Sequence, residues 1–327
     1  VSNFNTSKVT RMEAMFNSCI NLTSLDVSGF DTSNIPYMNN MFNNCPALTG
    51  IDVSGFNTSN ATTMSSMFYG CKNLTALDVS NFDTSNVVRM DCMFHGCNSL
   101  TNLDVSNFDT SKVTNMGGMF AYCNKLTEIN VCGFDTSNVT DMNSMFGDCK
   151  GLIELDVSGF NTSKVTNMAG MFGSINQDGG NNTPMYLDLS NFDTSSVTNM
   201  AMMFFNSRRI KNIEFGENFD TFNVTNMGGI FWNCGELNED LSKWDTSNVT
   251  TFTGTNGYPA FGLCRNLTTE ITISGNATSY KNIFSEAAIA PGAQITVNYT
   301  VETEALVDAM IATKSANSNV VKGRLIE

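Results

Sequence analysis

One histidine in 327 residues leaves little room for imidazole chemistry or for a metal site built on several histidines. Basic residues are also scarce: 17 Lys+Arg stand against 31 Asp+Glu, for a net charge of −14. Duplex nucleic acid requires a positive footprint, so a nucleic-acid partner is excluded. An anionic membrane surface is excluded on the same ground. No apolar run approaches the ~20 residues of a membrane-spanning helix, so direct membrane insertion is not expected. The GxSxG, P-loop and HExxH patterns are missing, and no enzymatic activity is expected. Charged residues make up only 15% of the chain, whereas Asn, Ser and Thr are plentiful. The surface is therefore largely hydroxyl and amide.

What the sequence has is repetition. Phe4, Phe30, Phe56, Phe82, Phe108, Phe134 and Phe160 lie 26 residues apart. Met-Phe pairs ending at Phe16, Phe42, Phe68, Phe94, Phe120, Phe146 and Phe172 keep the same step. The spacing then loosens through Phe204, Phe231, Phe261 and Phe284, with steps of 32, 27, 30 and 23. A fixed period of this size marks a stack of supersecondary units, each unable to bury its apolar face alone. About eleven coils are expected, the last degenerate.

Within one coil, Leu22, Leu25 and Val27 fit L-x-x-L-x-L, the strand-bearing part of a leucine-rich repeat. Period-2 alternation turns Leu25 and Val27 inward and Ser24, Asp26 and Ser28 outward. One short parallel strand per coil, about 4.8 Å from the last, would build one continuous sheet face. The other half, Val9 to Cys19, has apolar residues at steps of three and four. It suits a short helix, a 3₁₀ turn or an irregular back wall. The expected fold is an α/β repeat solenoid over 1–270, with an insertion near 173–184. Residues 271–327 read as degenerate last coils, with strands at Ile271–Ser274 and Gln294–Tyr299, and a small helical cap. That cap is an amphipathic helix at 301–314 with Leu306, Val307, Met310 and Ile311 on one face.

The recurring segment FDTSNVTxMxxMFxxCxxLTxLDVS resembles the BspA-type leucine-rich-repeat surface proteins of bacteria. More narrowly, it is similar to their subgroup with about 26-residue repeats and a (W/F)DTSNVTxMxxMF signature. The likeness is close over 1–270 and loose over 271–327. It implies a right-handed solenoid, an extracellular or cell-surface location, adhesion or ligand display, and no catalysis.

Columns that stay constant from coil to coil answer the shared need of stacking. The Thr of the DTS turn runs from Thr6 through Thr58 and Thr84 to Thr246, and reads as a turn that also bonds coil to coil. The Cys column comprises Cys19, Cys45, Cys71, Cys97, Cys123, Cys149, Cys234 and Cys264, with Ile175, Ser207 and Ala287 in its place elsewhere. It reads as small buried groups and free thiols. Cys92 and Cys132 lie outside it, as candidates for exposed thiols. The Met columns read as adaptable core filler. A second acidic series, Asp31, Asp83 and Asp109 among them, alternates with Asn57 and Asn161, which argues for turn capping.

The outward ladder Asp26, Asp52, Asp78, Asp104, Asp156 and Asp188, with Asn130 and Glu214 as variants, admits three readings. It is a solvated acidic face, a weak Ca²⁺ site between coils, or a surface for a basic or glycan partner. No other cofactor and no other metal is expected.

Specificity belongs in columns that vary. The outward column Ser24, Gly50, Ala76, Asn102, Glu128, Glu154 and Tyr186 is bland early and becomes charged and aromatic later. Near it lie the insertion and the one dense basic cluster, Arg208, Arg209 and Lys211. Glu128, Glu154, Tyr186, Arg208, Arg209 and Lys211 are therefore the candidate binding residues of an adhesin that takes a host or microbial surface protein or glycan on its concave sheet face. The alternative is a structural spacer that projects another domain. His95, beside Phe94, reads as an exposed loop residue. Val1 aligns with Val27, which reads as a monomeric fragment of a longer protein.

Overall fold

The computed structural model describes residues 4–177 and 184–327; part of the expected 173–184 insertion lies outside the described residues. Among the described residues the chain divides into one unit over 4–164 and another over 165–177 and 184–327. Each is a parallel β-solenoid with little helix.

In the first unit, coil is bonded to coil along the Met-x-x-Met-Phe-x-x-Cys wall. The N–H groups of Met38, Asn40, Phe42 and Asn44 donate to the carbonyls of Thr63, Ser65, Met67 and Tyr69, at 3.1, 3.0, 2.9 and 2.6 Å. The intervening Met41 and Asn43 close turns onto Met38 and Asn40. Asn40 and Asn44 adopt left-handed backbone, φ 59° and 56°. That conformation costs an ordinary residue about 1–2 kcal/mol and favours the Asn and Gly that recur in these two columns, among residues as varied as Ala14, Ser66 and Met202. The wall is thus a run of turns, the irregular option among those the spacing allows. One column of parallel bridges, Tyr37–Thr63–Arg89–Asn115–Asp141, joins five coils along it.

Inside, the phenylalanines stack ring on ring. Phe42 and Phe68 have centroids 5.5 Å apart and Phe68 and Phe94 5.9 Å, with planes within 14°. Met64, Met67, Cys71 and Leu74 are fully buried around them. The Cys71 thiol donates to the Phe42 carbonyl at 3.2 Å. In the second unit the Ser207 hydroxyl makes the same bond to Phe172 at 2.7 Å. The column therefore holds a small donor as well as a small volume, which Ile175 and Ala287 forgo. Cys19 departs from the expected burial, being only half-buried.

The extended segments alternate as expected, with Leu77 and Val79 buried and Asp78 exposed. They do not form the expected continuous sheet. Thr75 N–H reaches the Thr49 carbonyl at 3.3 Å, but among the described residues no acceptor meets the N–H groups of Ile51, Val53, Leu77 or Val79. Side chains bond these coils instead. Asn81 Nδ2 donates to the carbonyls of Val53, Ser54 and Phe56, at 3.3, 3.1 and 3.0 Å. With the pitch set by the wall and by such ties, a strand ladder is not needed to hold the coils.

In the second unit, a bridge column Asn167–Asn199–Asn226–Thr251–Ser279 again joins five coils. Here strands do form. β1 (Met185–Leu189) pairs in parallel with β2 (Ile210–Phe215). β3 (Thr269–Ile273), β4 (Ile295–Tyr299) and β5 (Val320–Leu325) make a second parallel sheet. α1 (Glu304–Ala312) buries Val307 and Met310, while Leu306 and Ile311 stay half-exposed. β5 follows α1 and was not expected, because Val321, Lys322 and Gly323 are all half-buried and show no alternation. Lys322 ties β5 to the helix, its ammonium 2.9 Å from both Glu304 and Asp308.

Candidate functional site

The acidic ladder is a set of closed turns. Asp26 Oδ1 accepts the Ser28 N–H at 3.0 Å and the Ser28 hydroxyl at 2.6 Å. Asp52, Asp78, Asp104, Asp156 and Asp188 accept the N–H two residues on in the same way. Asn130 makes the equivalent bond to Cys132 at 3.2 Å, so the column requires an acceptor and tolerates loss of the charge. The serine hydroxyl and N–H hold Asp52, Asp78, Asp104 and Asp156 below the usual carboxylate range. The second acidic series caps turns likewise, as at Asp31 and Ser33.

Glu128 and Glu154 are exposed in the first unit, in line with exposed Gly50, Ala76 and Asn102. In the second unit, Tyr186 is 63% exposed on β1, with Asn212 of β2 as its register partner. Lys211, the residue before Asn212, is also exposed. Arg208 is exposed and turns to the back-wall coil, its Nε 3.1 Å from Asn206 Oδ1. Arg209 is half-buried, and its carbonyl accepts the Met185 N–H at 2.8 Å. The basic cluster thus faces more than one way, because consecutive residues at a strand entry alternate in direction.

His95 is not an exposed loop residue. Its ring stacks on Tyr69 at 4.5 Å and meets Tyr122 at 5.1 Å, because three successive coils carry rings on this wall. Burial pushes its pKa down, and its Nδ1 has no partner. Cys132 is exposed, while Cys92 is half-buried. Both thiols are raised, Cys132 by its bond to Asp156 and Cys92 by burial, so neither is activated.

The second unit also contains a cleft of about 840 Å³ that the sequence reading missed. Its origin is a pair of opposite length changes. A regular coil runs eight steps from Leu74 to Phe82. The coil from Ile210 to Phe219 takes nine, and the next, from Leu237 to Trp244, takes seven. The longer coil passes so close to its predecessor that a Cβ on Gly216 would lie 1.8 Å from the Ser190 carbonyl oxygen, so only glycine fits. The shorter coil has no strand to pair with β2. Glu239 substitutes, its carboxylate accepting the Ile213 N–H at 2.7 Å. Lys243 stands where Asn81 and Asn107 tie their coils to the preceding one, and it makes no such tie.

One wall of the cleft is aromatic. Phe215 replaces the usual valine and packs on Phe219 at 4.5 Å and on Trp244 at 5.7 Å. Phe219 is half-exposed, whereas Phe82 and Phe108 at its position are buried. Asp193, Glu214, Glu217, Asp220, Glu239 and Asp240 surround these rings, against Lys243 alone. Burial pushes the Glu239 carboxyl up, with the Asp240 charge adding to it and the Ile213 N–H opposing. The Ser242 N–H and hydroxyl hold Asp240 down. Among the described residues, no three His, Cys, Asp or Glu side chains converge where they could hold a metal ion. The signal lay in the loosened spacing. The 30-residue step from Phe231 to Phe261 hides the one-residue deletion beneath the longer 253–260 stretch.

Stacked turns, buried ring columns and bridges that recur coil by coil define a repeat solenoid protein. The chain belongs to the family described as Mycoplasma protein of unknown function, DUF285, whose profile matches residues 1–100, 47–150, 74–183 and 179–291 and so tiles it with repeats. No curated protein and no solved structure matches it.

Proposed function

We propose that the chain is a non-enzymatic binding module at the bacterial cell surface, an adhesin that recognises a host or microbial protein or glycan through its outward extended segments. The observation that carries this reading is a division of labour. Thr58, Cys71 and Phe68 hold the stack, whereas the exposed column from Gly50 to Glu128 and Glu154 has no packing duty and changes from coil to coil. In this reading the chain is a right-handed, BspA-type leucine-rich-repeat stack of about eleven coils. The L-x-x-L-x-L segments form its recognition face, and the helical segment near the last coils acts as a cap. It works as a monomer without a cofactor, and calcium contributes weakly if at all through the Asp ladder.

An array of glycans, mucins and matrix proteins probed with this chain tests the proposal. Binding that falls in Glu128→Gln, Glu154→Gln and Tyr186→Ala variants of unchanged melting temperature supports it. An array without signal, or binding indifferent to all three, favours a spacer that projects another domain.

A further inference from the structure

We propose that the cleft between β2 and Trp244 seats an extended basic segment of a partner polypeptide, which adds to the open edge of β2 and lays lysine or arginine side chains along the acidic walls. This rests on the binding-module reading and names the partner chemistry of one site within it.

Four observations converge. The first is the strand edge: β2 pairs with β1 and, among the described residues, with no other strand. A free parallel edge bordering a cleft is a template for strand addition, in which main-chain bonds supply affinity and side-chain contacts supply specificity. The second is Glu239, whose side chain occupies the Ile213 N–H at 2.7 Å. A carboxylate there stands where a strand carbonyl would, and it is a group that an incoming backbone can displace.

The third is the wall. Phe215, Phe219 and Trp244 form a contiguous aromatic cluster, and Phe219 keeps part of its surface in solvent. Such rings bind the methylene stem of lysine or the plane of arginine, and attract the cationic head. The fourth is charge. Six carboxylates stand against one lysine and repel one another. Asp193, Asp220 and Asp240 also cap turns and Glu239 bonds Ile213 N–H, whereas no turn or coil-to-coil bond engages the carboxylate of Glu214 or Glu217 among the described residues. Because the carboxylates line the cleft without converging, they suit charges spaced along a chain better than a single ion. A volume of about 840 Å³ is within the usual range for ligand pockets and admits a few residues.

The test uses the full chain and a hexapeptide of alternating lysine and valine, read by Trp fluorescence and calorimetry. Comparators are the same peptide with glutamate for lysine, a hexamer of glucosamine, and Ca²⁺ alone. The lysine peptide should bind, should weaken as salt rises, and should bind about tenfold more weakly to the Glu214→Gln/Glu217→Gln/Asp220→Asn variant. The glutamate peptide should not bind. Melting curves check that the variant is folded, and Glu217→Gln alone, at an exposed residue, gives the same direction if the triple variant is not. Equal binding of both peptides, or an unchanged affinity in folded variants, overturns the proposal. So does tighter binding of the glucosamine hexamer, which assigns the cleft to a glycan, or Ca²⁺ that competes at micromolar concentration, which makes it an ion site. Failure here beside a positive array rejects the cleft alone. Peptide binding beside an array without signal rejects the adhesin reading and leaves the cleft.

Discussion

The Thr58 hydroxyl holds Asp83 of the next coil from both sides: it donates to the Asp83 carbonyl at 3.0 Å and accepts the Asp83 N–H at 2.7 Å. Thr32 makes the same pair of bonds to Asn57, and Thr136 to Asn161. Thr58→Val keeps the shape and leaves two backbone groups unmet at a buried site. It should cost roughly 2 kcal/mol. Thr58→Ser keeps the hydroxyl and should cost less. Urea denaturation of both variants checks the order; equal loss in the two would remove the clamp from the account.

Thiols divide by position. Burial pushes Cys71 up to about 12 and raises Cys97 well above the ordinary thiol range, while Cys132 is exposed and raised by its bond to Asp156. At pH 8 an alkylating reagent should label Cys132 first and leave Cys71 and Cys97 unmodified. Asp156→Asn should speed the labelling of Cys132, because loss of the carboxylate lowers the thiol pKa. Mass mapping of the adducts decides the matter, and early labelling of Cys71 would contradict the buried column.

The ladder makes a prediction about acid. The pKa values of Asp52, Asp78 and Asp104 are lowered in the folded chain by their serine partners. Their stabilising contribution is therefore present above the unfolded carboxylate value of about 3.9 and is lost as pH falls through the lower folded values. Changing all three to Asn keeps the acceptor, as Asn130 does, and removes the titration. The variant should melt near the wild type at pH 7 and lose less between pH 4 and pH 2. Millimolar calcium should raise the melting temperature of the wild type only slightly. A large rise abolished in the variant would make the ladder a calcium site.

Glu239 separates hydrogen bonding from charge. Glu239→Gln retains an acceptor for Ile213 N–H and removes a half-buried charge, so the melting temperature should hold or rise. Glu239→Ala strands that N–H and should cost about 1 kcal/mol. If the two variants melt alike, the bond contributes nothing.

The inward turn of Leu77 and Val79 and the constancy of the threonines were legible, because every coil repeats the same demand. The destination of the hydrogen bonds was not. Left-handed positions are filled by residues as different as Asn40, Met202 and Leu263, so composition did not mark them. The strands were expected in every coil, yet side-chain ties such as that of Asn81 make the ladder dispensable in the first unit. β5 was missed because Lys322, Gly323 and Arg324 carry no period. The cleft was missed because the added residue shows only as a step of 27 from Phe204 to Phe231, and the deletion in the next coil is concealed within the step of 30 to Phe261.

Amide hydrogen exchange tests most directly the claim that the back wall bonds the coils while the extended segments of the first unit carry no strand ladder. The N–H groups of Phe42, Phe68 and Phe94, bonded to Met67, Met93 and Met119 at 2.9 Å, should exchange slowly. Those of Ile51, Val53, Leu77 and Val79 should exchange orders of magnitude faster in the same folded chain. Equal protection of both sets would mean that a strand ladder closes the extended face, and would contradict the account.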